Sequence, residues 1–260
     1  MPPPPGWKVP SAYGVSPPRG EDPAPVTRAA TPVPLPTRGL EKLLASVGPG
    51  LHLIVGPHGS GKTQLAVQWG VQSALLGVST RLCFSQTPQV ELALRIAAHL
   101  SKTPWGELLS RGADEGARHL DRLGSAPLTV DPLESDPTPE QALDGANRLV
   151  ISDPAPGPET LASLRRQAVL QSTTWVVVCP GAGAEPAPGA SPLQLARAHG
   201  ADDATLALAD TVWVLAPQPA PKTVVHLAKS RGSRPSSAHL SFDGARFEDE
   251  PDELQLGLEV

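Results

Sequence analysis

The 260-residue chain has few aromatic residues, two cysteines and one methionine. Aromatics are only 3% of it, so its core must be built mostly from Leu, Val and Ala. Cys83 and Cys179 cannot supply the multi-bridge framework of a small secreted fold. Both lie in apolar, strand-like runs and read as small buried hydrophobes in a reducing compartment. No run of 18 apolar residues occurs, so no transmembrane helix is expected. The N-terminus lacks an apolar signal core, and a cytoplasmic location follows as the expectation. Net charge is −5, which argues against a basic coat for nucleic acid and leaves room only for a local basic groove. His52, His58 and His226 are scattered without metal-ligand spacing.

Proline, by contrast, is abundant at 32 residues. Residues 1–37 are dominated by Pro, Ala, Gly and Ser and cannot bury enough surface to order themselves. They read as a flexible, partly polyproline arm, with Trp7 and Tyr13 as incidental residues or docking anchors. The expected folded domain spans 38–247, and an acidic, disordered tail follows over 248–260.

One motif dominates the domain. Gly56-Pro57-His58-Gly59-Ser60-Gly61-Lys62-Thr63 fits G-x-x-x-x-G-K-[ST], the phosphate-binding P-loop, without mismatch. Leu51–Val55 reads as a buried strand before it, and Gln64 continues into a helix after it. In such a loop successive backbone N–H groups turn inward around phosphate oxygens, and the helix N-terminus adds partial positive charge. Lys62 can reach the outer phosphates, and the Thr63 hydroxyl can ligate Mg²⁺. The expected binding set is Gly56 through Thr63 with Gln64, and the expected ligands are ATP and Mg²⁺. Leu149-Val150-Ile151-Ser152-Asp153 is an apolar strand ending in an acid, which makes Asp153 the second metal-shell candidate.

The remaining pattern alternates strands and helices. Strands are expected at 81–85, 128–130, 174–178, 211–215, 223–227 and 238–242. Helices are expected at 39–44, 62–76, 90–100, 106–123, 138–146 and 159–171, with a mobile loop over 180–192. Trp69, Trp175 and Trp213 lie on apolar faces and read as core. The implied architecture is α/β, a mainly parallel twisted sheet covered on both faces, with late antiparallel strands.

Three stretches resemble the RecA-like ATPases, in particular the C-terminal motor domain of DnaB-type replicative helicases, with RepA- and RadA-like ATPases as further kin. They are Thr37–Leu43 leading into Gly48–Gly56, then Phe84-Ser85-Gln86-Thr87-Pro88 with the later Arg95, and a closing segment. That segment holds Ala209-Asp210, Leu227-Ala228-Lys229-Ser230-Arg231-Gly232, and Leu240-Ser241-Phe242-Asp243-Gly244 with Arg246-Phe247. The resemblance covers roughly residues 36–250. It implies that Lys229 and Arg231 reach a neighbouring subunit's nucleotide in trans, and hence a homo-oligomeric ring or filament. It also implies single-stranded DNA as a partner, and work in replication, recombination or repair.

Two departures weaken the implied chemistry. Gln86 falls nearest the family's catalytic Glu; an amide can orient a water but cannot take its proton. Glu91 would sit one helical turn further on. Cys179-Pro180 replaces the family's Ser-Gln after its strand. Both changes predict weak hydrolysis with binding retained. The two channel-facing loops offer only Arg197 and His199 as phosphate partners. Gln255-Leu256-Gly257-Leu258 resembles the first four positions of the bacterial sliding-clamp docking peptide but lacks its final Phe. Arm and tail are therefore candidate contacts for replication or repair proteins. The alternative function is an ATP-binding accessory or scaffold protein that recruits DNA-processing partners. A small-molecule kinase would leave the closing segment unexplained, and no Leu-Ser-Gly-Gly-Gln-like signature supports a transporter ATPase.

Overall fold

The computed structural model describes residues 32–131, 147–153, 157–181, 186–231 and 233–250. The expected helix at 138–146, most of the arm and the end of the tail lie outside them.

The chain opens with strand β1 (Val33–Pro34), helix α1 (Arg38–Leu43), β2 (Ser46–Val47), β3 (Gly50–Val55) and α2 (Lys62–Leu75). It continues through β4 (Thr80–Phe84), α3 (Gln89–Ser101), α4 (Trp105–Arg111), α5 (Ala113–Leu120) and β5 (Leu128–Val130). Next come β6 (Leu149–Asp153), α6 (Pro158–Leu170), β7 (Thr174–Val178), α7 (Pro192–Ala198) and α8 (Asp203–Leu208). Four strands close it: β8 (Thr211–Pro217), β9 (Lys222–Ser230), β10 (Ser236–Phe242) and β11 (Phe247–Asp249).

Nine strands form one sheet, in the order β11-β10-β9-β8-β3-β7-β6-β4-β5. From β8 to β5 every pairing is parallel, and from β8 to β11 every pairing is antiparallel. The apolar run Leu51–Val55 explains why β3 lies at the centre: neither of its faces can meet water. Ile54 joins a core with α2 and α3, whereas Leu51, Leu53 and Val55 join a second core with α6, α7 and α8. Trp69, Trp175 and Trp213 are all buried core, as expected.

The packed structure reaches beyond the expected 38–247 at both ends. β1 pairs with β2, Val33 and Leu35 are buried, and the Trp69 indole donates to the Pro34 carbonyl at 2.7 Å. The surrounding prolines mask these two apolar residues in the sequence. The helix expected over 106–123 is broken at Gly112, and its last residues, Asp121–Leu123, form a 3₁₀ turn. Helices α7 and α8 are additions to the expected pattern. Ser191 and Gln194 form a reciprocal capping box for α7, and Asp202 caps α8. Those capping residues are readable in the sequence, but the Gly- and Pro-rich stretch before them obscures the signal.

His52 and His99 are buried, and burial pushes both from the ordinary 6.5 to about 4. The unfolded chain therefore binds more protons than the folded one between those values, so stability falls as pH drops through that window. Urea midpoints measured from pH 7 to pH 4 are expected to decline steadily. Replacing His99 by Gln should flatten that slope.

Candidate nucleotide site

The parallel strands all deliver their carboxyl ends to one edge of the sheet, where ligands bind in open α/β folds. β3 ends in the P-loop, β6 ends in Asp153, and β7 leads into Cys179-Pro180-Gly181. These segments border a cleft of about 340 Å³ lined by His58 through Thr63, Gln86, Arg95, Trp105, Asp153, Val178 through Gly181, and Phe242.

Within the loop the Lys62 ammonium donates to the carbonyls of Gly56 and Pro57, each at 2.8 Å. Burial holds its pKa below the ordinary lysine range. A phosphate oxygen entering the loop would compete with those carbonyls for the same three protons. Gly61 has φ of 86°, in the left-handed region, and a Cβ there would lie 2.6 Å from the Phe247 ring. Gly181 meets backbone instead: a Cβ would lie 2.7 Å from the His58 nitrogen and 2.9 Å from the Gly56 oxygen. The loop is thus wedged between the last strand and the segment after β7.

Asp153 accepts from the Ser85 amide at 2.8 Å and the Gln86 amide at 3.4 Å, both on Oδ1. Burial raises its pKa against those hydrogen bonds. The pairing of β4 with β6 therefore sets Gln86 beside Asp153 across the strand ends. Among the described residues, Asp153 is the one carboxylate lining the cleft. Glu91 does not line it; its carboxylate is held by Arg95 at 2.7 and 3.0 Å, one helical turn along α3. Cys179 does line it, and burial pushes its thiol up to about 12, so it presents a neutral S–H.

Gln64 is corrected by the structure. Its side chain is fully buried and donates to the Ala245 carbonyl at 2.6 Å and the Arg95 carbonyl at 3.3 Å, away from the cleft. It ties α2 to the β10–β11 hairpin and to α3. Lys229 and Arg231 also lie outside the cleft. β9 runs antiparallel to β8, so its end meets the start of β8, at the opposite edge of the sheet from the P-loop. Arg197 pairs with Asp203 at 2.6 Å and His199 is buried, so neither stands ready for a nucleic-acid phosphate.

Sequence reasoning missed an aromatic corner of the cleft. The Arg95 guanidinium lies 5.4 Å from the Trp105 ring, Phe242 stacks on Phe247 at 4.7 Å, and both Trp105 and Phe242 line the cleft. Trp105 opens α4 directly after Pro104, a position at which a lone aromatic carries no motif.

No known family profile matches the chain, and no curated protein matches its sequence. Solved structures do match its fold. An ATPase domain of the DnaB-like helicase type superposes with a TM-score of 0.68 at 13% identity, covering 85% of this chain and 92% of that one. A DnaB-like replicative helicase, whose structure was described with its interactions with primase, gives 0.65 at 13% identity. That match covers 85% of this chain and 64% of the helicase. RadB recombinase gives 0.54 at 17% identity, over 83% and 98%. The fold is that of a RecA-like P-loop ATPase. Its nine-stranded sheet, parallel with late antiparallel strands, is the architecture expected from the sequence. Among the described residues no helix is long and apolar enough to cross a membrane.

The contact at Gly181 yields a test. Gly181→Ala forces a methyl group against three P-loop backbone atoms that cannot swing aside. It is expected to weaken triphosphate binding by roughly tenfold, an effect of about 1.4 kcal/mol. Gly189→Ala, with open space around it, should leave binding unchanged. Isothermal titration with both variants checks this.

Proposed function

We propose that this chain is an ATP-binding ATPase of the RecA-like type that acts on DNA in replication, recombination or repair, with slow turnover. The observation that carries the reading is the convergence of an intact P-loop, Thr63 and Asp153 on one cleft. Hydroxyl and carboxylate are hard oxygen donors, and they fit Mg²⁺. Thr63 would hold the ion directly and Asp153 through water, and the bound ion would neutralise phosphate charge. Lys62 and the loop amides bind and orient the phosphates. Trp105, backed by Arg95, offers a flat face for the nucleobase, with Phe242 as a second apolar wall.

Hydrolysis needs a group to orient the attacking water and take its proton. Gln86 can orient it through its amide, but holds no base. Asp153 is engaged by two backbone amides, and Glu91 by Arg95. This supports retained binding with weak chemistry. Assembly from head to tail would bring Lys229 and Arg231 of one copy toward the cleft of the next, which supports a homo-oligomer with its sites between subunits. Single-stranded DNA is the proposed polymer substrate.

The shortage of carboxylates in the cleft favours a second reading, an accessory protein that uses ATP as an assembly signal and recruits replication or repair proteins. Measuring ATP hydrolysis with and without single-stranded DNA, with Lys62→Ala as the blank, separates the two. DNA-stimulated turnover lost in Lys62→Ala supports the ATPase reading; tight binding with turnover at the blank supports the accessory.

Two further outcomes are expected. Gln86→Glu restores a carboxylate beside the cleft and should raise turnover by about tenfold or more, within the usual range for a positioned base. Trp105→Ala should weaken ATP binding by roughly fivefold to tenfold, since a stacked base contributes about 1 kcal/mol or more. It should leave binding of inorganic tripolyphosphate, which has no base, unchanged. Competition titrations read both ligands.

A further inference from the structure

At the edge of the sheet opposite the P-loop, Asp210 gathers charge from three elements. Arg165 of α6 binds it with two nitrogens, Nε to Oδ2 at 3.0 Å and Nη2 to Oδ1 at 2.8 Å. The Leu51 amide of β3 donates to Oδ2 at 3.0 Å. Arg231, just past β9, approaches Oδ1 through its Nε at 2.8 Å. One carboxylate thus faces two guanidiniums. The two are not equivalent, because the Arg165 side chain is 25% exposed and that of Arg231 72%.

Arg165 already matches the charge of Asp210 and packs against it, so Arg231 is the surplus cation. Its link to Asp210 runs through Nε, and its Nη1 and Nη2 have no partner among the described residues. Those terminal nitrogens form the forked edge that matches a phosphate. Lys229 is differently placed. Its ammonium donates to the carbonyls of Leu206 and Ala207 at 2.6 and 2.9 Å, at the end of α8. That is a helix C-terminal cap, a structural task that occupies the charge. Of the two cations expected to reach a second copy, only Arg231 presents free donors.

We propose that Asp210 is a positioning residue for Arg231. It anchors the guanidinium by Nε and turns the forked edge outward, toward the terminal phosphate of a nucleotide held by a second copy of this chain. Lys229 is the buttress of that corner and touches no nucleotide. The proposal rests on the reading that Arg231 acts in trans. An exposed ion pair contributes little by itself, so Arg231 can shift onto a phosphate without unfolding its surroundings. Burial pushes the Asp210 carboxyl up, but the hydrogen bonds from Arg165 and Leu51 and the charges of Arg165 and Arg231 outweigh it, keeping Asp210 ionised.

The test reads nucleotide-dependent self-association of the full chain by sedimentation, with Mg²⁺ and either a non-hydrolysable ATP analogue or ADP. Contact with the terminal phosphate makes association tighter with the analogue. Arg231→Ala is expected to abolish the difference, and Lys229→Ala to lower the melting temperature while keeping it. Asp210→Asn retains an acceptor for the Leu51 amide and loses the charge, and should cut the difference by about threefold to tenfold. In the Arg231→Ala background the same change should add nothing, as expected for residues acting through one another. If Asp210→Asn does not fold, Asp210→Glu, which moves the charge by one methylene, carries the same expectation.

No analogue–ADP difference in the unaltered chain defeats the trans reading itself. A difference that Arg231→Ala abolishes and Asp210→Asn leaves intact overturns the positioning role alone. So does an equal loss from Asp210→Asn with and without Arg231, which would make Asp210 merely structural. Loss of the difference in Lys229→Ala at unchanged melting temperature would overturn the division of labour between the two cations.

Discussion

The phosphate-binding loop is held by contact on two sides that leave no room for a side chain. Phe247 of the last strand presses on Gly61, and the backbone of Gly56, Pro57 and His58 closes on Gly181. A loop that must offer its amides inward cannot be left to fluctuate, because each wrong backbone angle turns a donor away from the phosphate. The rest of the chain serves this confinement. Gln68 grips the Phe247 backbone with both ends of its amide, at 2.8 and 2.9 Å, and Gln64 donates to the Ala245 carbonyl two residues earlier. The helix that starts at the P-loop is thereby stitched to the hairpin that closes the fold.

That stitching explains the antiparallel extension of a parallel sheet. Strands β9, β10 and β11 add no residue to the phosphate loop itself, yet they supply Phe242 to the cleft wall and Phe247 to its floor. The same excursion returns the chain to the start of β8, where Asp210, Arg165, Lys229 and Arg231 meet. Binding groups at one edge of the sheet and a cation cluster at the other are the natural product of parallel strands with an antiparallel return. Such a molecule has two unlike ends, which suits association from head to tail.

The cleft is built better for holding a triphosphate than for cleaving it. Its cationic and amide donors are complete. Its acidic side is reduced to Asp153, whose Oδ1 serves two backbone amides, and the sulfur of Cys179 stands where a polar sensor would help chemistry. Glu91 is near in sequence, but Arg95 takes its charge and sits against Trp105. Rigidity in this corner goes to shaping the pocket and leaves no base free.

The sequence by itself determined the P-loop, the acid-ended strand at Asp153, the alternation of strands and helices, and the buried tryptophans. Those signals are local: a fixed spacing of glycines, an unbroken apolar run, a helical period of about 3.6. Only the tertiary structure decided what Gln64 does, because a glutamine next to a phosphate loop reads as a ligand until the carbonyl of Ala245 is found beneath it. Only the structure brought Trp105 and Phe242 to one wall, since they lie far apart in the chain and neither belongs to a motif. It alone separated Lys229 from Arg231, two cations that look interchangeable in sequence. One caps a helix, the other points a fork outward, and that distinction exists only where α6, α8, β8 and β9 pack around a single carboxylate.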